Sequence, residues 1–305
     1  MEQSLQKPAV RGCLALLCCI LWGSAFPCVK LGYEWLSITT AGGQILFAGY
    51  RFFLAGVLTF FMGCIMEKRV LTMKRSSVPY VLRQGFLQTT VQYVFFYIGM
   101  AHTTGTKGSV INACNAFVSI IVAHFVMKND KMTGKKAIGC LLGFAGIVII
   151  NLAPGAWGSG FSLLGEGFVL ICTVSYGIST VIMKMIAHRE SAMTITAYQL
   201  TFGGFILILM GLLMHGEMGA FNGRSALLFL YMVFLSTVAF SIWTLLLKYN
   251  PVGKVAIFGC SIPIFGVLLS AIFLNEQVFT IQNLAALICV SAGIMVVNHT
   301  GKQEI

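Results

Sequence analysis

The sequence predicts an all-α polytopic membrane protein, with ten transmembrane helices arranged as two inverted five-helix repeats. Three observations carry that reading: ten apolar stretches of spanning length, basic residues gathered in alternate loops, and a second half that repeats the first. Of 305 residues, 58% are hydrophobic and only 10% charged, and the mean hydropathy is +0.89. Such a composition suits a bilayer as solvent.

A helix needs about 20 apolar residues to cross about 30 Å of hydrocarbon. The first stretch, 11–32, follows Lys7 and Arg11 and so also fits a cleaved leader, a reading opposed by its recurrence later in the chain. It holds Trp22 and an interior Pro27, tolerable in a membrane where neighbouring protein satisfies the freed carbonyl. The second stretch, 42–65, contains Arg51. The third, 79–100, opens on Pro79, where a missing N–H costs little, and carries Gln88 and Gln92 on one face with Tyr93 beside them. In the fourth, 107–127, Asn112, Asn115 and Ser119 align, and in the fifth, 133–152, the "GCLLG" spacing suits close helix packing. The second half offers 163–187 with Ser175 and Tyr176, 193–215 with Gln199, and 224–247 with Ser236, Ser241 and Trp243. It ends with 252–274, which has an interior Pro263, and 279–299.

The formal net charge of +11 suggests nucleic acid until its placement is considered. With a cytoplasmic N-terminus, every basic residue except Lys30, Arg51, Lys107 and Arg224 falls at a cytoplasmic helix end or loop. This is the positive-inside pattern; it accounts for the charge without a nucleic-acid partner and puts both termini in the cytoplasm. Trp35 and Trp157 then fall in external loops, as interface anchors. The ten cysteines all lie in apolar stretches without CxxC pairs, the pattern of small packing residues.

Duplication is visible in the residues. "WGSAFPCVK" (22–30) returns as "YGISTVIMK" (176–184), "GYRFFLAGVLTFFMG" (49–63) as "AYQLTFGGFILILMG" (197–211), "FLQTTVQYVF" (86–95) as "FLSTVAFSIW" (234–243), and "AGIVIIN" (145–151) as "AGIMVVN" (292–298). The units run 11–152 and 163–299. An odd number of helices per unit makes the second enter the membrane from the opposite side, and inverted repeats are a device for alternating access. In the two copies of the opening motif, Trp22, Phe26 and Lys30 share a helix face, as do Tyr176, Thr180 and Lys184. Lys30 and Lys184 also read as side chains snorkelling to opposite surfaces.

"WGSAFPCVK", "YRFFLAG" and "KYNPVGKVAIFGCSIPIFGVLLSAIFLNE" (248–276) resemble EamA-type members of the drug/metabolite transporter superfamily. The resemblance covers about 11–299 and implies carriers of small organic solutes, often amino acids or related metabolites, usually as exporters. It also implies a proline in the fourth helix to match Pro263. Phe117 stands there instead, so a straighter fourth helix is expected.

Polar groups in hydrocarbon are costly and tend to face a cavity or bond a neighbour. The expected substrate-binding set is Trp22, Arg51, Gln88, Gln92, Tyr93, Asn112, Asn115, Tyr176, Gln199, Ser236, Ser241 and Trp243, with Pro27 and Pro263 as gating positions. Interhelical bracing explains any single member as well, Arg51 included. His124 reads as a packing histidine. Every acid maps to a terminus, loop or span end, so transport is expected to be uncoupled unless Glu166, near the external end of the sixth span, couples it. The expected partners are a small-molecule substrate and the lipid bilayer, with a homodimer admissible and no cofactor or metal. Two rival classes stand beside the carrier: a polytopic enzyme acting on a lipid-linked substrate, which would need clustered His, Asp, Glu or Arg at one membrane face, and a channel, which would need a polar ring.

Overall fold

The computed structural model describes residues 5–126, 132–151, 161–186, 189–250, 255, 257–276 and 280–300. Those residues are helical with no strand among them. Helix α1 is Pro8–Trp35, its proline at the first helical position, where the absent N–H has no intrahelical acceptor to miss. Helix α2, Ala41–Glu67, begins where the Thr40 side chain accepts from Gly43 N at 3.1 Å and ends at Lys68 in the left-handed region. Helix α3 is built of Val78–Gly85, a π-helical segment Phe86–Val91, and Gln92–Ala101. Helix α4 comes in two pieces, Gly105–Ala113 and Asn115–Val126, and α5 is Gly134–Asn151.

In the second half, α6 joins a π-helical start, Leu163–Gly167, to Phe168–Ile186, and α7 is Ala192–Leu213, capped by Ser191. Helix α8, Gly223–Tyr249, opens on a reciprocal capping box between Asn222 and Ser225. Helix α9 runs from a 3-10 turn, Ile257–Cys260, into Ser261–Leu274, and α10 is Ile281–Thr300. Among the described residues six helices are long and apolar enough to span a bilayer: Pro8–Trp35, Ala41–Glu67, Gly105–Val126, Leu163–Met183, Ala192–Leu213 and Gly223–Leu246. Largely exposed apolar side chains such as Ile65, Leu213, Leu227 and Ile281 populate the outer surface, as suits a surface facing lipid.

Two helices bear on the proline-based expectations. The helical assignment of the fourth lapses for one residue, Cys114, between Gly105–Ala113 and Asn115–Val126, although no proline is present. At this point Cys114 N donates to Ile111 O at 3.1 Å and Asn115 Nδ2 to Asn112 O at 2.8 Å, so carbonyls freed from the ladder keep partners. Pro263 is buried as the third residue of the α-helical piece Ser261–Leu274, seven residues into α9 and just after its 3-10 turn. Pro27 is buried inside α1 as expected.

Packing follows the repeat. Each helix makes its largest contact with the other half: α2 with α7, α5 with α10, α1 with α8 and α9, and α6 with α3 and α4. Exchanging the halves turns the α1–α9 pair into α6–α4 and α1–α8 into α6–α3, both of which are present. Helices α2 and α7 run antiparallel, since Gly42 meets Gly216, Gly49 meets Ile208 and Gly63 meets Met193. These glycines let the backbones touch: a Cβ at Gly49 would lie 2.6 Å from Ile208 N, and one at Gly211 would lie 2.8 Å from Leu46 Cα. Helices α5 and α10 are antiparallel as well, with Gly146 against Val290 and Gly143 against Gly293, so the "GCLLG" stretch packs helices as expected.

Candidate functional site

Arg51 lies at the centre of the bundle and is only 2% exposed. Helix α2 delivers it between α3 and α8. Its Nε donates to Met232 O at 3.2 Å and to Ser236 Oγ at 3.1 Å, and Nη1 donates to the Tyr97 hydroxyl at 2.8 Å. Its guanidinium carbon lies 4.8 Å from the centre of the Phe52 ring. A buried guanidinium needs such partners, and here all of them are neutral. The remaining nitrogen, Nη2, has no hydrogen-bond acceptor among the described residues. The predicted bracing role of Arg51 is therefore present, with one donor edge left over.

Around this centre stands an aromatic shell. Tyr93 packs on Phe52 at 4.0 Å between ring centres and lies edge-on to Tyr97 at 6.2 Å. Arg51, Cys172 and Tyr176 are near enough to the Tyr93 phenol to act on it electrostatically. Cys172 Sγ in turn contacts Asn112 Oδ1 at 3.7 Å. Thus Arg51, Tyr93, Ser236, Asn112 and Tyr176, predicted from four separate stretches and the start of the second half, are brought into one neighbourhood. Trp22 and Trp243 meet edge-to-face at 5.0 Å, with Phe240 5.7 Å from Trp22. Through the Trp22–Phe240 contact this pair joins the same apolar cluster as Arg51's neighbours Phe52 and Tyr97.

Other predicted residues turn elsewhere. Gln88 accepts from Gln84 Nε2 at 2.6 Å along its own helix, and Asn115 folds back on Asn112 O. Gln199 sits where α7 touches Gly85 of α3, with the would-be Gly85 Cβ 3.2 Å from its Cα. Gln92 Oε1, Gln199 Oε1 and Ser241 Oγ are buried and without a hydrogen-bond partner. Ser175 donates to Leu87 O at 2.9 Å, tying α6 to the π segment of α3. His124 Nδ1 accepts from Met132 N at 2.9 Å, as suits a satisfied packing histidine. Lys30 Nζ donates to Met100 O at 3.1 Å; the Lys184 side chain and Trp157 lie outside the described residues.

At the face holding the α3–α4 turn, expected to be external, two carboxylates close on one short segment. Glu276, at the end of α9, accepts from Gly105 N at 2.7 Å, Thr106 N at 2.9 Å and Thr106 Oγ1 at 2.6 Å, and so caps the start of α4. Glu166, at the start of α6 and 3% exposed, accepts from Thr103 Oγ1 at 2.6 Å and Ser162 N at 2.7 Å, and lies 3.5 Å from Lys107 Nζ. Residues 103–107 are thereby fastened to both α6 and α9.

Sequence reasoning missed Tyr97 and the Glu276 clasp. The signal for Tyr97 was its position one helical turn after Tyr93, on the face that meets Arg51. Glu276 had no local signal, since its partners lie 170 and 171 residues away.

The comparisons with known proteins agree with this architecture. The EamA-like transporter family matches the chain twice, at 11–152 and 163–298. Those matches cover nearly the whole sequence, and the chain belongs to the EamA-like transporter family. It is accordingly a multi-pass membrane protein and a transporter. Among its relatives, the uncharacterized transporter YvbV of Bacillus subtilis is 27% identical over 98% of this chain and 95% of its own. YetK of the same organism, also named an uncharacterized transporter, is 25% identical over 85% of this chain and 79% of its own. An Escherichia coli protein named "Probable amino-acid metabolite efflux pump" is 23% identical over 91% of both chains. A solved crystal structure superposes with a TM-score of 0.70 over 97% of this chain and 98% of its own, at 14% identity, which speaks to the fold alone.

Proposed function

We propose that this transporter is a carrier with ten spans in two inverted five-helix repeats, both termini cytoplasmic. It exports a small carboxylate-bearing solute, an amino acid or related metabolite, across the cytoplasmic membrane by alternating access. One observation carries the reading. We read the one-residue lapse of α4 at Cys114 and the 3-10-to-α junction of α9 at Ser261 as corresponding points of the two halves: they are 147 residues apart, as are the matched Asn151 and Asn298. The two interrupted helices pack on each other, with Ser109 against Gly266 and Gly105 against Ser270. In inverted-repeat carriers, discontinuous helices of this kind form the central site, and their rearrangement exchanges access between the two sides.

In this reading the free Nη2 edge of Arg51 receives the solute carboxylate, and Tyr93 with the Trp22–Trp243 pair covers its apolar part. The orphan oxygens of Gln92 and Ser241 suit an ammonium group. Transport is uncoupled exchange or facilitated diffusion, because Glu166 and Glu276 are spent on holding the 103–107 segment. The name of the Escherichia coli relative supports the solute class and the direction.

Purified protein in liposomes preloaded with one amino acid should take up the labelled form by saturable counterflow. Flux that does not saturate and shows no counterflow favours a channel. Release of a lipid-linked product without solute movement favours the enzyme reading.

A further inference from the structure

At the end of the bundle opposite the Glu276 clasp, α3, α6 and α7 leave a cavity of about 680 Å³. Its walls are apolar, formed by Phe86, Leu87, Ile182 and Phe202, and it opens sideways, because Phe86 is 48% and Met185 51% exposed. Two guanidiniums border this slot, Arg83 from α3 and Arg189 from the turn after α6. Neither has a hydrogen bond or ion pair from its side chain among the described residues. Arg189 stacks on Tyr80 at 4.0 Å, which occupies one face of its plane and leaves its N–H edges free, and its Nε is buried without an acceptor. Glu190, the adjacent acid, forms no ion pair with it among the described residues; its Oε1 accepts from Lys74 N at 2.9 Å.

An apolar slot facing the bilayer beneath two unpaired cations is complementary to an amphiphile with an anionic head. We propose that this groove binds one anionic phospholipid of the adjacent leaflet, its phosphate between Arg83 and Arg189 and an acyl chain along Phe86, Leu87 and Ile182. Guanidinium forks match phosphate oxygens, and juxtamembrane basic side chains are the usual means of reading anionic lipid. A soluble anion would satisfy the cations but leave the slot unfilled. A zwitterionic lipid would fill the slot but carry its own cation to the arginines. The site is distinct from the Arg51 centre and stands whether or not the carrier mechanism proposed above is right.

The test uses the purified full chain in detergent, titrated with dioleoylphosphatidylglycerol or dioleoylphosphatidylcholine and read by native mass spectrometry. The expected result is one retained phosphatidylglycerol per chain, preferred over phosphatidylcholine and not displaced by millimolar inorganic phosphate. Replacing both cations, Arg83→Gln with Arg189→Gln, should weaken that retention by about thirtyfold. If the double variant does not fold, Ile182→Trp, which blocks the slot and keeps both arginines, should abolish retention instead. Equal retention of the two lipids, displacement by inorganic phosphate, or undiminished retention in Ile182→Trp overturns the proposal.

Discussion

Arg51 and Tyr97 are joined by a 2.8 Å hydrogen bond from Nη1 to the phenol, and the backbone carbonyl of the same tyrosine accepts from the Tyr33 hydroxyl at 2.6 Å. One residue of α3 thus holds both a cation of α2 and a phenol of α1. Tyr97→Phe removes the acceptor for Nη1 and should lower stability by about 1.5–3 kcal/mol, seen as an earlier thermal transition in detergent. The carboxylate-docking role is probed separately with Arg51→Lys, which keeps the charge and loses the fork. It should weaken apparent affinity for an amino acid far more than for its amide or ester. Unchanged relative affinity in Arg51→Lys and in a folded Arg51→Gln would leave Arg51 with bracing alone.

Glu276 accepts three hydrogen bonds from Gly105 and Thr106, two of them from backbone amides. Glu276→Gln keeps an acceptor oxygen but loses the charge, and a charge-assisted bond is worth about 1.5–3 kcal/mol. Amide hydrogen exchange at Gly105 and Thr106 should accelerate by about 10- to 100-fold. If exchange there is unchanged, the carboxylate is not what fastens the turn.

Pro263 occupies the first turn of its helical piece, so Pro263→Ala breaks no existing hydrogen bond. Folded yield and thermal stability should stay within about 1 kcal/mol of the parent. Transport should nevertheless slow severalfold, because the fixed φ no longer sets the 3-10 to α junction. Equal transport rates would reduce Pro263 to a packing residue.

The α2–α7 contact tolerates no side chain at Gly49, where a Cβ would lie 2.6 Å from the Ile208 nitrogen. Gly49→Ala should cost about 1–3 kcal/mol through displaced backbone, and Gly49→Leu should abolish folded yield. Gly223→Ala is the control, since a Cβ there meets nothing within 4 Å. Comparable losses at both positions would refute the close-contact explanation.

Reporter fusions address the orientation inferred from charge. Fusions after Arg75 and Arg189 should report cytoplasm, and fusions near Leu36 and Gly219 the exterior. A single reversed span in that series removes the inverted arrangement.

What was legible in the sequence was whatever repeats or carries a charge. The matched segments pointed to a duplicated chain, and a guanidinium inside an apolar span marked Arg51 as a residue in need of partners. Its partner Tyr97 was hidden because an aromatic in an apolar run reads as packing. The interruption at Cys114 was hidden because proline, the usual marker, is absent, and the Asn115 side chain there folds back on Asn112 O. The π segment of α3 had no composition signal at all, and the capping of α4 by Glu276 joins residues too far apart in the chain for spacing to reveal.

The antiparallel pairs α2–α7 and α5–α10 have a consequence for biogenesis. When residue 152 leaves the ribosome, Gly49, Gly56 and Gly63 present a bare backbone groove, and the helix that fills it among the described residues, Ala192–Leu213, has not emerged. The first unit therefore enters the membrane before the helix that makes its largest contact with α2, so completion of the α2–α7 seam follows synthesis of the second unit.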